Sequence, residues 1–156
     1  MILRLIAAGT KLPQWINDGV DEYGARLKGS DYKFELIEIP LGQRAGGDVA
    51  RAIATEGERM LATLTQKPYV IALQVAGKAL STEQLAKFLA ARSHDGRDTA
   101  FCIGGPEGLA PEVDARADFR WSLSALTMPH GLARVVAVEA LYRAVSVIKG
   151  LPYHRG

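Results

Sequence analysis

The run Tyr69–Val75, YVIALQV, is apolar almost without interruption, which is the pattern of a parallel strand buried on both faces. A strand of that kind has no solvent face, so it needs a layer of helices above and below it and parallel neighbours joined by crossover connections. The rest of the chain supplies them. Met1–Ala8 and Phe34–Ile39 read as two earlier strands, and 99–103 and 119–123 as two later ones. Helical patterns fall between: Ile16, Val20, Tyr23 and Leu27; Val49, Ile53, Met60 and Leu64 after an Asp48 cap; and Leu85, Phe88 and Leu89 after a Ser81–Gln84 capping box. Gly77-Lys78 reads as the turn that ends the third strand. A short helix is expected at 112–117. The longest is expected from Pro129 onward, where Val135, Val138, Leu141, Tyr142, Val145 and Ile148 make a face wide enough for more than one neighbour.

Strand and helix thus alternate from end to end, which predicts an α/β fold: a mostly parallel sheet of five to six strands with helices on both faces. At 156 residues, with no linker, repeat or low-complexity tract, the chain reads as one domain over 1–156. Lys+Arg 19 against Asp+Glu 17 leaves it nearly neutral, so any nucleic-acid footprint must be local. The first apolar run is too short for a membrane span, and no membrane association is expected. Cys102 is the one cysteine; it lies within an apolar strand and reads as a buried, unreactive thiol suited to a reducing cytoplasm.

Two loops follow strand ends on the same side: Gly104-Gly105-Pro106-Glu107-Gly108 and Ser124-Ala125-Leu126-Thr127-Met128-Pro129-His130. Strand-end loops rich in glycine and hydroxyls are where an α/β protein builds a small-molecule site. No GxxxxGK[ST] or GxGxxG element is present, which disfavours an ordinary nucleotide or dinucleotide site. Metal ligation has no support either, because His94, His130 and His154 are widely spaced and no HExxH pair occurs. No GxSxG elbow activates Ser122 or Ser124. What remains suits an uncharged or cationic ligand that needs an adenine slot, and S-adenosylmethionine fits that description.

Two further stretches carry charge. From Ala140 onward Arg143, Lys149 and Arg155 occur with Tyr153 and His154 and with no acidic residue, a combination that either grips phosphates and stacks a base or is a disordered tail. The segment LGQRAGGD at 41–48 reads as a solvated connector or as a mobile arm whose Arg44 touches an anionic substrate.

LIAAGT at 5–10, IGGPEG at 103–108, SLSALTMPH at 122–130, EALYRA at 139–144 and PYHR at 152–155 together closely resemble the SPOUT superfamily, and within it the bacterial pseudouridine methyltransferases of large-subunit ribosomal RNA. The resemblance covers the whole chain. It implies a SPOUT α/β knot with a C-terminal deep trefoil, a homodimer packed partly through the last helix, a cytoplasmic location, and S-adenosylmethionine held by Leu73, Gly105, Ser124, Ala125, Leu126, Thr127, Met128 and Pro129. On the RNA side it implies His130, Arg143, Tyr153, His154 and Arg155, and as substrate a pseudouridine methylated at N3 in the assembled ribosome. His154 would be the candidate base, with Arg155 or Arg143 stabilising the developing anion. Gln74, Ala76 and the 131–133 stretch depart from the family pattern at the cofactor rim. A SPOUT enzyme acting on transfer RNA and a non-catalytic ribosome-binding module are the alternatives.

Overall fold

A computed structural model describes residues 1–155; Gly156, the end of the expected domain and tail, lies outside the described residues. Its elements are β1 (Ile2–Ala8), α1 (Gln14–Arg26), β2 (Lys33–Ile39), α2 (Val49–Ala62), β3 (Tyr69–Ala79), α3 (Thr82–His94), β4 (Thr99–Ile103), α4 (Pro111–Arg116), β5 (Phe119–Ser122) and α5 (His130–Lys149), followed by a 3-10 turn at Pro152–Arg155. The five strands are all parallel, in the order β2-β1-β4-β3-β5.

Period-2 alternation assigns successive side chains of the central strands to opposite layers. Leu3, Leu5 and Ala7 of β1, Ile71 of β3, and Phe101 and Ile103 of β4 join Leu85 and Leu89 of α3 and Ala137, Leu141, Ala144 and Val145 of α5 in one core. Ile6, Ala8, Val70, Ala100 and Cys102 face the other way, onto Met60 of α2 and Val113 of α4. Both faces are dry, which is why these strands read as unbroken apolar runs. The wide face of α5 is used within the chain, because the helix packs between α1 and α3. Strand starts are pinned by turn aspartates: Asp98 accepts the Ile2 N–H at 2.8 Å and Asp118 accepts the Val70 N–H at 2.9 Å.

Two expectations need correction. Gly77-Lys78 does not end β3; the strand continues to Ala79 after an irregularity, since Leu73 and Lys78 both align with Trp121 of β5. A Cβ at Gly77 would lie 2.8 Å from the Arg120 carbonyl carbon, so glycine is what lets the strand come back onto β5. Val49, expected in the core, is exposed; α2 buries Ala52, Glu56, Gly57 and Met60 instead. Asp48 and Ser81 cap α2 and α3 as expected, the latter with a complete capping box.

The largest fully buried side chain is Arg134, 1% exposed, in the second turn of α5. Its guanidinium meets Glu38 of β2 at 2.6 Å and donates to the carbonyls of Gly9, at 2.7 Å, and Ala8, at 3.3 Å. Replacing Arg134 by alanine should destabilise the fold by about 3 kcal/mol or more, because buried acceptors lose their donor and a cavity opens. Chemical denaturation of Arg134→Ala checks this; a loss under about 1 kcal/mol would show that water takes over the role.

Candidate active site

A cavity of about 670 Å³ opens at the carboxyl ends of β4 and β5 and beside the irregularity in β3. Its walls are Leu73–Val75 from β3, residues 103–108 after β4, Leu123, Ser124 and Leu126–Pro129 after β5, and His130 and Ala133 from the start of α5. The two loops singled out in the sequence therefore meet around one space, of a size that holds a cofactor. Leu73, Gly105, Ser124, Leu126, Thr127, Met128 and Pro129 all line it, whereas Ala125 does not. Leu126 is 75% exposed, so its side chain forms part of the mouth.

Local geometry explains the loop shapes. The loop after β4 doubles back on itself: the Gly108 N–H donates to the Gly105 carbonyl at 3.0 Å, and Gly108 has φ of 92°. A Cβ on Gly104 would stand 2.1 Å from the Gly108 carbonyl carbon, so no larger residue fits there. In the loop after β5, Ser124 accepts the Leu126 N–H at 3.0 Å while its carbonyl accepts the Ser122 hydroxyl at 2.9 Å. Ser122 and Ser124 thus shape the backbone. Gln74 lines the rim and donates to Asp114 at 3.1 Å, and Asp114 is held below the usual carboxylate range first by Arg120.

The cavity carries almost no free charge. Its ionisable lining groups are Glu107 and His130. Arg44 hydrogen-bonds both Glu107 oxygens and holds this carboxyl below its ordinary range. Burial, and then the Arg134 guanidinium, push the His130 imidazole down, against a smaller opposing pull from Glu56. An uncharged, mostly apolar slot with backbone carbonyls and amides at strand ends fits an adenosyl cofactor with a sulfonium and does not fit a polyphosphate.

The tail lies elsewhere on the chain. Tyr153, His154 and Arg155, in the 3-10 turn, and Arg143 do not line the cavity. The turn packs back onto α5: the Tyr153 hydroxyl donates to Glu139 at 3.1 Å and shares a second hydrogen bond with the Tyr23 hydroxyl at 3.2 Å, in which it accepts, and its ring lies edge-on to Tyr142. Burial first, then these hydrogen bonds, raise the Tyr153 pKa, so it stays a neutral phenol. His154 Nδ1 is 3.5 Å from the Ser146 hydroxyl. Arg143 pairs with Glu139 at 2.6 Å and lines a groove of about 160 Å³ that shares Leu123 with the larger cavity. The end of the chain forms a 3-10 turn at Pro152–Arg155, unlike the disordered tail that was one of its two readings, and Glu139, one residue before the acid-free stretch, was overlooked although its i, i+4 spacing to Arg143 signalled the pair. Among the described residues no three His, Cys, Asp or Glu side chains gather as a metal site, and no helix is long and apolar enough to cross a membrane. Cys102 is buried and pushed up to about 12 by desolvation, an inert thiol.

The sequence family described as "Predicted SPOUT methyltransferase" matches residues 1–154. The chain belongs to the SPOUT methyltransferase family. It is 53% identical over 156 residues to a Pseudomonas fluorescens protein named "Ribosomal RNA large subunit methyltransferase H", covering 99% of this chain and 100% of that one. A protein of the same name from Chromohalobacter salexigens is 50% identical with the same coverage. Among solved structures, that of "a probable methylase family protein from Haemophilus influenzae Rd KW20" superposes with a TM-score of 0.60 over 97% of this chain and 69% of that one; at 12% identity this likeness concerns the fold alone. The α/β class and the parallel sheet expected from the sequence hold, with five strands.

The state of His130 is open to direct measurement. Its folded-state pKa lies below the unfolded one, so the neutral ring contributes stability that is fully present above the unfolded value and lost as pH falls through the folded one. Ring NMR should give a His130 midpoint below about 6.5, the ordinary histidine value; a midpoint at or above it would mean that burial and Arg134 do not govern this group.

Proposed function

We propose that this chain is an S-adenosylmethionine-dependent methyltransferase that methylates N3 of a pseudouridine in large-subunit (23S) ribosomal RNA within the assembled ribosome, acting in the cytoplasm as a homodimer. The observation that carries the reading is the cavity: Leu73, Gly105 and the 124–129 loop surround a slot without free charge at the strand ends, in a chain about half identical over its full length to proteins named as ribosomal RNA large subunit methyltransferases. Leu73, Gly105, Ser124, Leu126, Thr127, Met128 and Pro129 would hold the cofactor directly, and Ala125 through its place in the loop. Bound there, S-adenosylmethionine supplies a methyl group already activated by its sulfonium. This chain must orient the acceptor and deal with one proton, because N3 of pseudouridine is an imide nitrogen that has to be deprotonated.

In this reading His154 takes that proton, Arg155 and Arg143 favour the imide anion, and Tyr153 stands beside them as a neutral phenol held by Glu139. His130 competes for the role of base on one specific ground: it is the imidazole in the cavity wall, held neutral and so able to accept. Because Arg143 and the three tail residues do not line their own cavity, the homodimer is what would bring a tail to it. Exposed Trp15, Leu126 and Leu132 offer apolar surface for a second copy to cover. The trefoil threading implied by the resemblance goes with this reading. A nearly neutral surface gives little grip on free RNA, so substrate choice would rest on preformed ribosomal shape.

Labelled-methyl transfer to intact ribosomes, separated subunits, free ribosomal RNA and bulk transfer RNA, followed by nucleoside mapping, tests the proposal. N3-methylated pseudouridine in ribosomes alone is the expected result. Label only in transfer RNA would favour the alternative SPOUT reading, and no cofactor binding by calorimetry would leave a non-catalytic ribosome-binding module. Replacing His154 by alanine should lower kcat by about 10²-fold or more if it is the base. A normal rate with an unchanged pH profile would exclude that role and pass it to His130, which His130→Ala would then reveal.

A further inference from the structure

The 41–47 segment is neither a free connector nor an arm reaching for substrate. Arg44 Nε donates to Glu107 Oε1 at 3.0 Å and to Oε2 at 3.2 Å, and Nη2 also bonds Oε2. Nη1 donates to the Gly42 carbonyl at 2.9 Å and pairs with Glu56 Oε2 at 2.8 Å. Glu56, on α2 and 4% exposed, also accepts the Gly42 N–H at 2.9 Å. One guanidinium therefore joins a carboxylate in the cavity wall to a carboxylate buried beneath it. The backbone of the wall rests on the same group: a Cβ at Gly105 would lie 3.1 Å from Glu56 Oε1 and 3.1 Å from Leu41. At the root of the segment, Arg59 donates to the Pro40 carbonyl at 2.9 Å.

We propose that Arg44 is a positioning residue for the cofactor: it straps the 41–47 segment to Glu107 and Glu56, and so holds Gly105 and the wall after β4 in the shape that receives S-adenosylmethionine. This rests on the reading of the cavity as the cofactor site. Arg44 faces Glu107 from the loop after β4 and Glu56 from α2, and each of its three nitrogens already has a protein acceptor. Four of its five N–H donors are engaged in this way, and only one, on Nη2, is left for any further contact. Glu107 in turn has both oxygens engaged by Arg44, so it acts as a buttress for the loop and not as an anionic ligand for a cationic cofactor. Planar, bidentate pairing of this kind fixes orientation as well as distance, which a lysine cannot reproduce in full.

The sign of the effect separates the possibilities. Calorimetry with S-adenosylmethionine on Arg44→Ala, Arg44→Lys, Glu107→Gln and the Arg44→Ala/Glu107→Gln double variant should show affinity about tenfold weaker in Arg44→Ala and Glu107→Gln, part of it regained in Arg44→Lys, and the double variant no worse than either single one. In methyl transfer to ribosomes, the cofactor KM should rise more than kcat falls. If Arg44→Ala does not fold, Glu107→Gln and Arg44→Lys carry the same comparison. Unchanged affinity in the variants overturns the strap. Tighter binding in Arg44→Ala would make Glu107 a direct ligand, and a loss seen only in the KM for ribosomes would make Arg44 an RNA contact; either result also overturns it. A wild-type protein that binds no S-adenosylmethionine overturns the cavity reading and the strap with it, whereas wild-type binding with equal binding by the variants overturns the strap alone.

Discussion

The buried guanidinium of Arg134 is the point on which the two ends of the chain depend. Apolar packing holds α5 against the sheet, but burial of Ala137, Leu141 and Val145 is non-directional and would tolerate small shifts of the helix. Arg134 removes that freedom, because its donors must meet a carboxylate on β2 and the carbonyls of Ala8 and Gly9 at the end of β1 at once. The cost of dehydrating the charge is offset only where all three acceptors are in place. His130 lies one helical turn earlier and, besides its own burial, feels the same guanidinium, so the anchor of α5 also contributes to keeping the cavity-wall imidazole neutral.

A common electrostatic design follows around the cavity. Two arginines stand beside it, and both are turned into the protein: Arg134 toward Glu38 and the β1 carbonyls, Arg44 toward Glu56 and Glu107. Each makes the framework rigid without presenting a cation to the ligand. A site for a phosphorylated cofactor would need the opposite arrangement, with donors and positive charge aimed inward. Here the inward-facing surface is left to Leu73, Met128, Pro129 and the glycine loop, which offer shape and backbone groups in place of charge.

What the sequence made legible is local chemistry, and what it concealed is long-range pairing. YVIALQV identified a doubly buried strand over Val70–Ala72, where both layers it faces are apolar, but not as far as Val75, which is exposed; the Ser81–Gln84 capping box was readable because its partners are three residues apart. The two cavity loops were visible from their own residue types at strand ends. Arg134 was not, since a lone arginine in a helix reads as a surface residue until Glu38 and Gly9 arrive from 96 and 125 positions away. Arg44 was misread for the same reason: Glu107, 63 residues on, decides its role. The continuation of β3 past Gly77 was hidden because alignment with Trp121 is a property of β5, not of the strand itself.

The position of the tail sharpens what the proposed reaction requires. His130 opens α5 at the cavity, and Glu139, which holds the Tyr153 hydroxyl, lies nine residues further on, roughly 13 Å along the axis at 1.5 Å per residue. For its own cavity to use Tyr153, His154 and Arg155, the 3-10 turn would have to leave the cluster of Tyr23, Tyr142 and Tyr153 and the Arg26 and Arg143 guanidinium groups stacked on it. A second copy bringing its tail to the cavity would require no such loss, since each tail could stay on its own α5. On the proposed reading the aromatic cluster would serve as a mount for the basic groups, and the apolar mouth around Leu126 would be the place for a neighbour carrying them.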